Sequence, residues 1–340
     1  MNKNLFLFFY FLTFLFFSCK KQDDDVPRKS TGKINTISVV IDDQLWNGII
    51  GDSIRNKFAS PVEGLSTEEP QFDINQYPIN VMEGFVTKSR TIIVIKQGEE
   101  NNFTIKKNQY AAPQNVIHIT GKTLSDLLSI IEKRSPQIIK IIQDGEIKAH
   151  QLLLNDSLVD PTAIQQQFNL SLKIPKKYSY VLKNKSFVWL KSEFPSGSTS
   201  LLITQLPIDI INSEDNVLHK AIKVHDSIGD LYIRGKDPAS SLYIDKSYPL
   251  YLSQITLDGK PAYETKGTWR LKDSFMFGAF VNYLIIDSKN NRIIYLDGFC
   301  YVPSRERRDY MHELESIIKG VKINSFLFSE RYSKKSIKID

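Results

Sequence analysis

Short β-branched runs alternate with amphipathic stretches along most of the chain. Residues 36–41 (TISVVI) read as a strand. Asp42 and Asp43 then cap a helix over about 44–58, whose apolar stripe is Leu45, Trp46, Ile49, Ile50, Ile54 and Phe58. Gly48 and Gly51 weaken that helix and point to close packing against another element. Residues 61–78 carry Pro61, Pro70 and Pro78 and keep no period, so a long loop is expected. Strands are predicted at 79–86, 90–97, 102–108 and 115–120.

Helical spacing follows. Thr123 and Asp126 form a capping box for a helix carrying Leu124, Leu127, Leu128 and Ile131. Ser135-Pro136 has the form of an N-cap with proline at the first helical position, opening a second helix through Ile138, Ile139 and Ile142 to about 153. Asp160-Pro161 starts a shorter one ending near Phe168. The second half returns to strands at 178–183, 186–193 and 199–206. Ser213 caps a helix whose apolar face holds Val217, Leu218, Ala221, Ile222 and His225. Extended segments are expected at 230–234, 240–244 and 249–257. Asp258-Gly259 and Lys289-Asn290-Asn291 signal two hairpins, the second between 275–287 and 291–302. A last helix starts at Pro303 and Ser304 and buries Tyr310, Met311, Leu314, Ile317 and Ile318, with Gly320 as its C′ residue.

Hairpin signals favour antiparallel pairing. The expected fold is therefore α+β: two consecutive halves, each with a mainly antiparallel sheet packed against helices. The expected segments are a signal peptide at 1–18, a tether at 19–33, an N-terminal half at 34–168, a C-terminal half at 169–323 and a basic tail at 324–340.

The extreme N-terminus follows different rules. After Lys3 come thirteen residues, 5–17, with Thr13 as the one clearly polar member. Such a run makes a signal-peptide core and falls short of a membrane span. Ser18 and Cys19 then resemble a lipobox, which implies cleavage before Cys19 and acylation of its thiol. Several acyl chains hold stably on a bilayer where one does not. Lys20 follows the cysteine, and residues 23–25 are three aspartates. That run resembles the acidic export signal of surface lipoproteins, and it also serves as a solvated spacer. The fourteen residues 20–33 reach ~20 Å as a flexible chain. The implied place is the outer membrane, lipid-anchored, on its periplasmic face or at the cell surface.

The chain has 340 residues and a net charge of +6. Removing residues 1–18, whose one charge is Lys3, leaves 322 residues at +5. That charge is diffuse and no nucleic-acid motif accompanies it, so nucleic acid is not an expected partner. Two cysteines exclude a disulfide scaffold and a multi-cysteine metal site. Cys300 lies in a strand between Phe299 and Tyr301 and reads as a buried structural thiol. His219 and His225 are six apart and fall on different helix faces, while His312 is expected on the solvent side of the last helix. No metal, cofactor or catalytic set is expected.

The surface features are few. Arg305, Arg307 and Arg308 crowd the first turn of the last helix, against its dipole, which makes them candidates for an anionic ligand or for an ion-pair network. Trp269 is a candidate stacking residue. Ser157, Ser227 and Ser53, each after an aspartate, match a short pattern that resembles a bacterial O-glycosylation signal. The expected function is a non-enzymatic, lipid-anchored module that binds an envelope protein or glycan. The alternatives are an envelope hydrolase acting on glycan, peptide or lipid, and a structural subunit of an envelope assembly.

Two stretches carry a family resemblance. One is Trp46-Asn47-Gly48 through Gly51-Asp52-Ser53-Ile54-Arg55, then Gly64-Leu65 and Glu69-Pro70-Gln71-Phe72-Asp73. The other is Gly267-Thr268-Trp269 through Phe275-Met276-Phe277-Gly278, then Arg292-Ile293-Ile294, Asp297-Gly298-Phe299 and the helix from Pro303. Together they resemble the lipid-anchored Bacteroidota family known as domain of unknown function 4837, over most of the chain after the signal. The resemblance implies an envelope location and attaches no activity.

Overall fold

The computed structural model describes residues 28–154, 157–211, 216–235, 237 and 239–324. The signal run, the Ser18-Cys19 site, the three aspartates, the Ser213 cap and the tail from 325 lie outside the described residues.

The first half holds β1 (Thr36–Ile41), α1 (Asp43–Trp46), α2 (Ile49–Phe58), β2 (Asp73–Tyr77), β3 (Thr91–Gln97), β4 (Asn102–Lys107), β5 (Asn115–Gly121) and α3 (Leu124–Leu153). Its five strands run in the order β2-β1-β3-β5-β4. The β1–β2, β1–β3 and β3–β5 pairings are parallel, and β4–β5 alone is antiparallel. This corrects the antiparallel expectation for this half, because helices and long connections, not hairpins, return the chain between most of these strands. Ile37, Val39, Ile41, Ile93, Ile95, Ile117 and Ile119 form one face, buried beneath α2 and α3. The other face, Val40, Ile92, Val94 and Val116, is covered by Val86. Residues 73–77, read as loop, are an edge strand, and 79–81 form a single 3-10 turn where a strand was expected.

The two helices expected around Ser135 are one. α3 runs for thirty residues with Pro136 inside it. Ser135 turns its hydroxyl back to the Ile131 carbonyl at 2.6 Å instead of capping a new helix. A continuous buried stripe, Leu127, Ile131, Ile138 and Ile142, holds the helix together across the proline.

The second half holds α4 (Thr162–Phe168), β6 (Leu170–Ser171), β7 (Ser179–Lys183), β8 (Phe187–Phe194), β9 (Gly197–Pro207), α5 (Val217–Tyr232), β10 (Leu242–Ile244), β11 (Tyr251–Leu257), β12 (Lys260–Leu271), β13 (Phe277–Asp287), β14 (Arg292–Tyr301), α6 (Arg308–Lys319) and β15 (Lys322–Ile323). Its large sheet runs β10-β12-β13-β14-β9-β8-β7, with β11 paired to β12, and every pairing is antiparallel. The expected Asp258-Gly259 hairpin is present, both residues at positive φ between Leu257 and Lys260. Residues 230–232 close α5 and are not strand. Gly320 sits at φ −86°, so α6 ends without a left-handed cap.

Strand alternation gives this sheet two buried faces. Val281, Tyr283, Ile285, Leu296 and Cys300 meet Leu314, Ile317 and Ile318 of α6. Phe280, Leu284, Tyr295 and Phe299 meet Ala221, Val224 and Ile228 of α5. Ile164 and Phe168 of α4 pack into the first of these cores, so residues 157–168, expected in the N-terminal half, belong structurally to the second.

Candidate functional site

The arginine group does not form an open anion site. Glu69, buried in the loop before β2, accepts the Arg307 N–H at 2.8 Å and the Arg308 N–H at 2.7 Å on Oε2. It therefore caps α6 from the other half of the protein, and its negative charge answers the helix dipole. Arg308 donates to Asp73 at 2.9 and 3.0 Å, to the Asp309 carboxylate and to the Pro70 carbonyl. Carboxylates and burial together set the protonation of this group: hydrogen bonding to Arg308 holds Asp73 below the usual carboxylate range. Arg307 reaches Ser66 and Thr67 and lies over the Phe277 ring, 5.3 Å from its centre. Both guanidinium groups are 4% exposed residues at the joint between the halves. The ligand expectation for Arg307 and Arg308 is thereby corrected, and Arg305 alone of the three is exposed.

Trp269 is also a core residue, 2% exposed, donating from Nε1 to the Cys300 carbonyl at 3.1 Å. A stacking role for it is corrected for the same reason. Ser53 is buried in α2 and donates to Glu132 at 2.8 Å, which removes it as an accessible acceptor. Ser157 is exposed beside the loop into α4, and Ser227 is exposed on α5. Cys300 is a free, buried thiol, pushed up to about 12 by burial. His312 is not on the solvent side: it stacks on His150 across the α3–α6 joint, ring centres 5.3 Å apart. His225 Nε2 lies 3.8 Å from Asp297, but α5 and the sheet bury both, so the pair faces no substrate. Among the described residues no group of three metal-ligating side chains comes together.

A groove of about 410 Å³ opens instead in the first half, between the end of the sheet and α3. The sheet side is built by register. Ile93, Ile117 and Ile105 stand in one row, and all face α3. The next row on that face is Thr91, Asn115 and Lys107. The helix side changes in the same way, since the stripe of Ile138 and Ile142 continues to Glu146 one turn on. The apolar fill therefore stops on both walls at the same level.

Glu146, 1% exposed, forms the floor. Its Oε1 accepts from Arg90 Nε at 3.0 Å, and its Oε2 accepts from Arg90 Nη2 at 3.1 Å and from the Asn35 N–H at 2.9 Å. Arg90 also donates to the carbonyls of Gly32, at 2.6 Å, and of Lys33. Gln114 fixes the loop beside it, accepting from Tyr110 and Ala111 and donating to the Thr87 and Ser89 carbonyls. Lys107, Lys148, Asn115, Ile105, Ile141 and Pro113 line the space above. None of these was singled out from the sequence. The available signal was polar residues, Asn115 and Glu146, at positions whose phase is apolar.

Residues 157–320 match the model of a domain of unknown function, DUF4837, and residues 30–155 match another, DUF8532. The N-terminal motifs, from Trp46 to Asp73, fall in the second match. No curated protein matches the chain. A mutant of the protein Mog1 aligns at 11% identity and a TM-score of 0.29, covering 45% of this chain and 90% of that one. Mog1p, a Ran-binding protein of Saccharomyces cerevisiae, aligns at 11% identity and a TM-score of 0.30, covering 45% of this chain and 89% of that one. At these scores neither carries an argument about this chain.

Proposed function

We propose that this chain, whose residues 157–320 match the DUF4837 model, is a lipid-anchored protein of the cell envelope that acts as a non-enzymatic binding module. Its anchor is Cys19, directly after the thirteen-residue apolar run and Ser18. Its binding surface is the groove over Arg90 and Glu146, and its occupant is a component of the envelope. One observation carries the reading: the floor of the groove is also the clamp on the incoming chain. Arg90 and Glu146 together hold the backbone of Gly32, Lys33 and Asn35, where the N-terminal segment enters the fold. The concave site thus stands at the base of the tether. Ser157 and Ser227 are the accessible candidates for O-glycosylation in this setting.

The test is metabolic labelling with palmitate. The wild-type chain should take up label and sediment with outer membranes, and Cys19→Ala should lose both properties. Label that persists in Cys19→Ala, or an unlabelled wild type in the soluble fraction, overturns the anchor.

A further inference from the structure

We infer that the groove between β4 and α3 binds an organic anion, a phosphate or carboxylate carried on an apolar body. The inference rests on the reading of the chain as a binding module and names the occupant of that same site.

Charge accounting comes first. The groove is lined by Arg90, Lys107, Lys148, Asp144 and Glu146 as its charged residues. Arg90 and Glu146 neutralise each other, and each also holds backbone: Arg90 the Gly32 and Lys33 carbonyls, Glu146 the Asn35 N–H. Asp144 is paired with Lys140 at 3.0 Å, one turn back on the helix. Lys107 and Lys148 remain, with no carboxylate partner among the described residues. They rise from opposite walls, one from the end of β4 and one from α3. The surplus is two positive charges above a floor that is neutral by its own ion pair.

The amide of Asn115 adds a directional donor. Its side chain makes no hydrogen bond among the described residues, and it lines the groove. Gly145 on α3 faces it: a Cβ there would lie 3.0 Å from Asn115 Nδ2. Glycine in a helix interior is a poor helix former, and here its missing side chain leaves the amide room to stand in the groove. Ile105, Ile141 and Pro113 provide apolar wall beside these donors. Nine of the thirteen lining residues are polar, so the apolar contact on offer is the short stretch of Ile105, Pro113 and Ile141, and the volume is in the range of a small-molecule site.

Position supplies the source. Ala112, next to the groove residue Pro113, donates to the Arg28 carbonyl at 2.8 Å. Arg28 lies nine positions after Cys19. Nine residues of chain span at most ~30 Å, whatever their conformation. A lipid headgroup is therefore within reach of the groove, and a free organic anion satisfies the same donors.

Titration calorimetry on the purified full chain tests this with hexyl phosphate, hexanoate and hexanol. Both anions should bind saturably and hexanol should not. The double variant Lys107→Gln/Lys148→Gln should bind both anions about tenfold more weakly or worse, since each contact to a charged group is a strong one. Gly145→Ala should weaken binding as well by displacing the Asn115 amide. These lysines are exposed, so unchanged melting curves show that the variants fold. Sedimentation of the Cys19→Ala chain with phosphatidylcholine vesicles, with and without phosphatidylglycerol, separates the sources. Retention that requires phosphatidylglycerol and the two lysines assigns the headgroup, and no retention assigns the free anion. Equal binding of hexanol, or anion binding unchanged in the double variant, overturns the inference while leaving a binding groove. Binding of none of the three probes removes the groove from the proposed function as well.

Discussion

Glu69 caps the helix that Arg308 begins, although they lie 239 positions apart: Glu69 Oε2 accepts the Arg308 N–H at 2.7 Å. The two arginine side chains, at first sight misplaced against a helix dipole, sit beside a carboxylate delivered by the other half of the protein. Asp73, four residues after Glu69, takes the Arg308 guanidinium in the same joint.

Loss of this joint should show as lost stability. Glu69→Ala leaves buried N–H groups of Arg307 and Arg308 without an acceptor and should cost about 2–4 kcal/mol. Arg308→Gln should cost less, about 1–3 kcal/mol, because its partner Asp73 is partly exposed. Thermal or urea unfolding measures both. Wild-type melting in either variant would remove the structural role assigned here.

The histidine stack across the same joint should make stability fall in acid. Burial pulls His312 down to about 4, with the His150 charge acting in the same direction, while Glu315 and Asp309 oppose it. His150 is likewise lowered by burial, with Lys177 and Arg90 acting the same way against Glu313 and Asp309. The unfolded chain binds protons at these sites near the ordinary histidine value, so the folded state is favoured above it. That stability is lost as pH falls from about 6.5 toward 4. His312 alone contributes about 3 kcal/mol over the window. Asp297 works in the opposite sense, since burial pushes its carboxyl up to about 6 and ionising it costs stability as pH rises from about 4 to 6. Melts of His312→Gln between pH 6.5 and 5 should therefore be flatter than wild type. A wild-type slope in the variant would contradict the assignment.

Cys300 should be inert while the protein is folded. Its thiol is buried and held neutral far above physiological pH. Ellman's reagent should report almost no reaction before denaturation and one thiol afterwards in the Cys19→Ala chain. Rapid labelling of the native protein would mean that the β14 face is open to solvent.

Local chemistry was legible in the sequence and distant partnership was not. The Thr123 and Asp126 capping box is present as read, with both reciprocal hydrogen bonds, because all its atoms lie within one turn. The Asp258-Gly259 turn is present for the same reason. Strand direction in the first half depends on how the chain returns, so β1, β3 and β5 could not be distinguished from antiparallel strands by alternation, and β2 lies inside the expected loop. Ser135-Pro136 carries a true start signal that tertiary packing overrides, since Ile131 and Ile138 bury on the same side of it. Arg307 and Arg308 were singled out for the right anomaly, a charge against a dipole. The resolving groups, Glu69 and Asp73, lie in the segment expected as a long loop, where a family motif was visible but no partner for the arginines. The groove needed two coincidences, polar residues at apolar phase on β5 and on α3, which become one site when those elements pack.

The central claim is that the cations serving a ligand are Lys107 and Lys148 of the groove, while Arg307 and Arg308 serve the fold and the exposed Arg305 serves no ligand. One isotherm compares them: hexyl phosphate titrated into wild type, Arg305→Gln and Lys107→Gln/Lys148→Gln. The account predicts that Arg305→Gln binds as wild type does and that the lysine variant loses about tenfold or more. Binding that survives in the lysine variant and is lost in Arg305→Gln would contradict it.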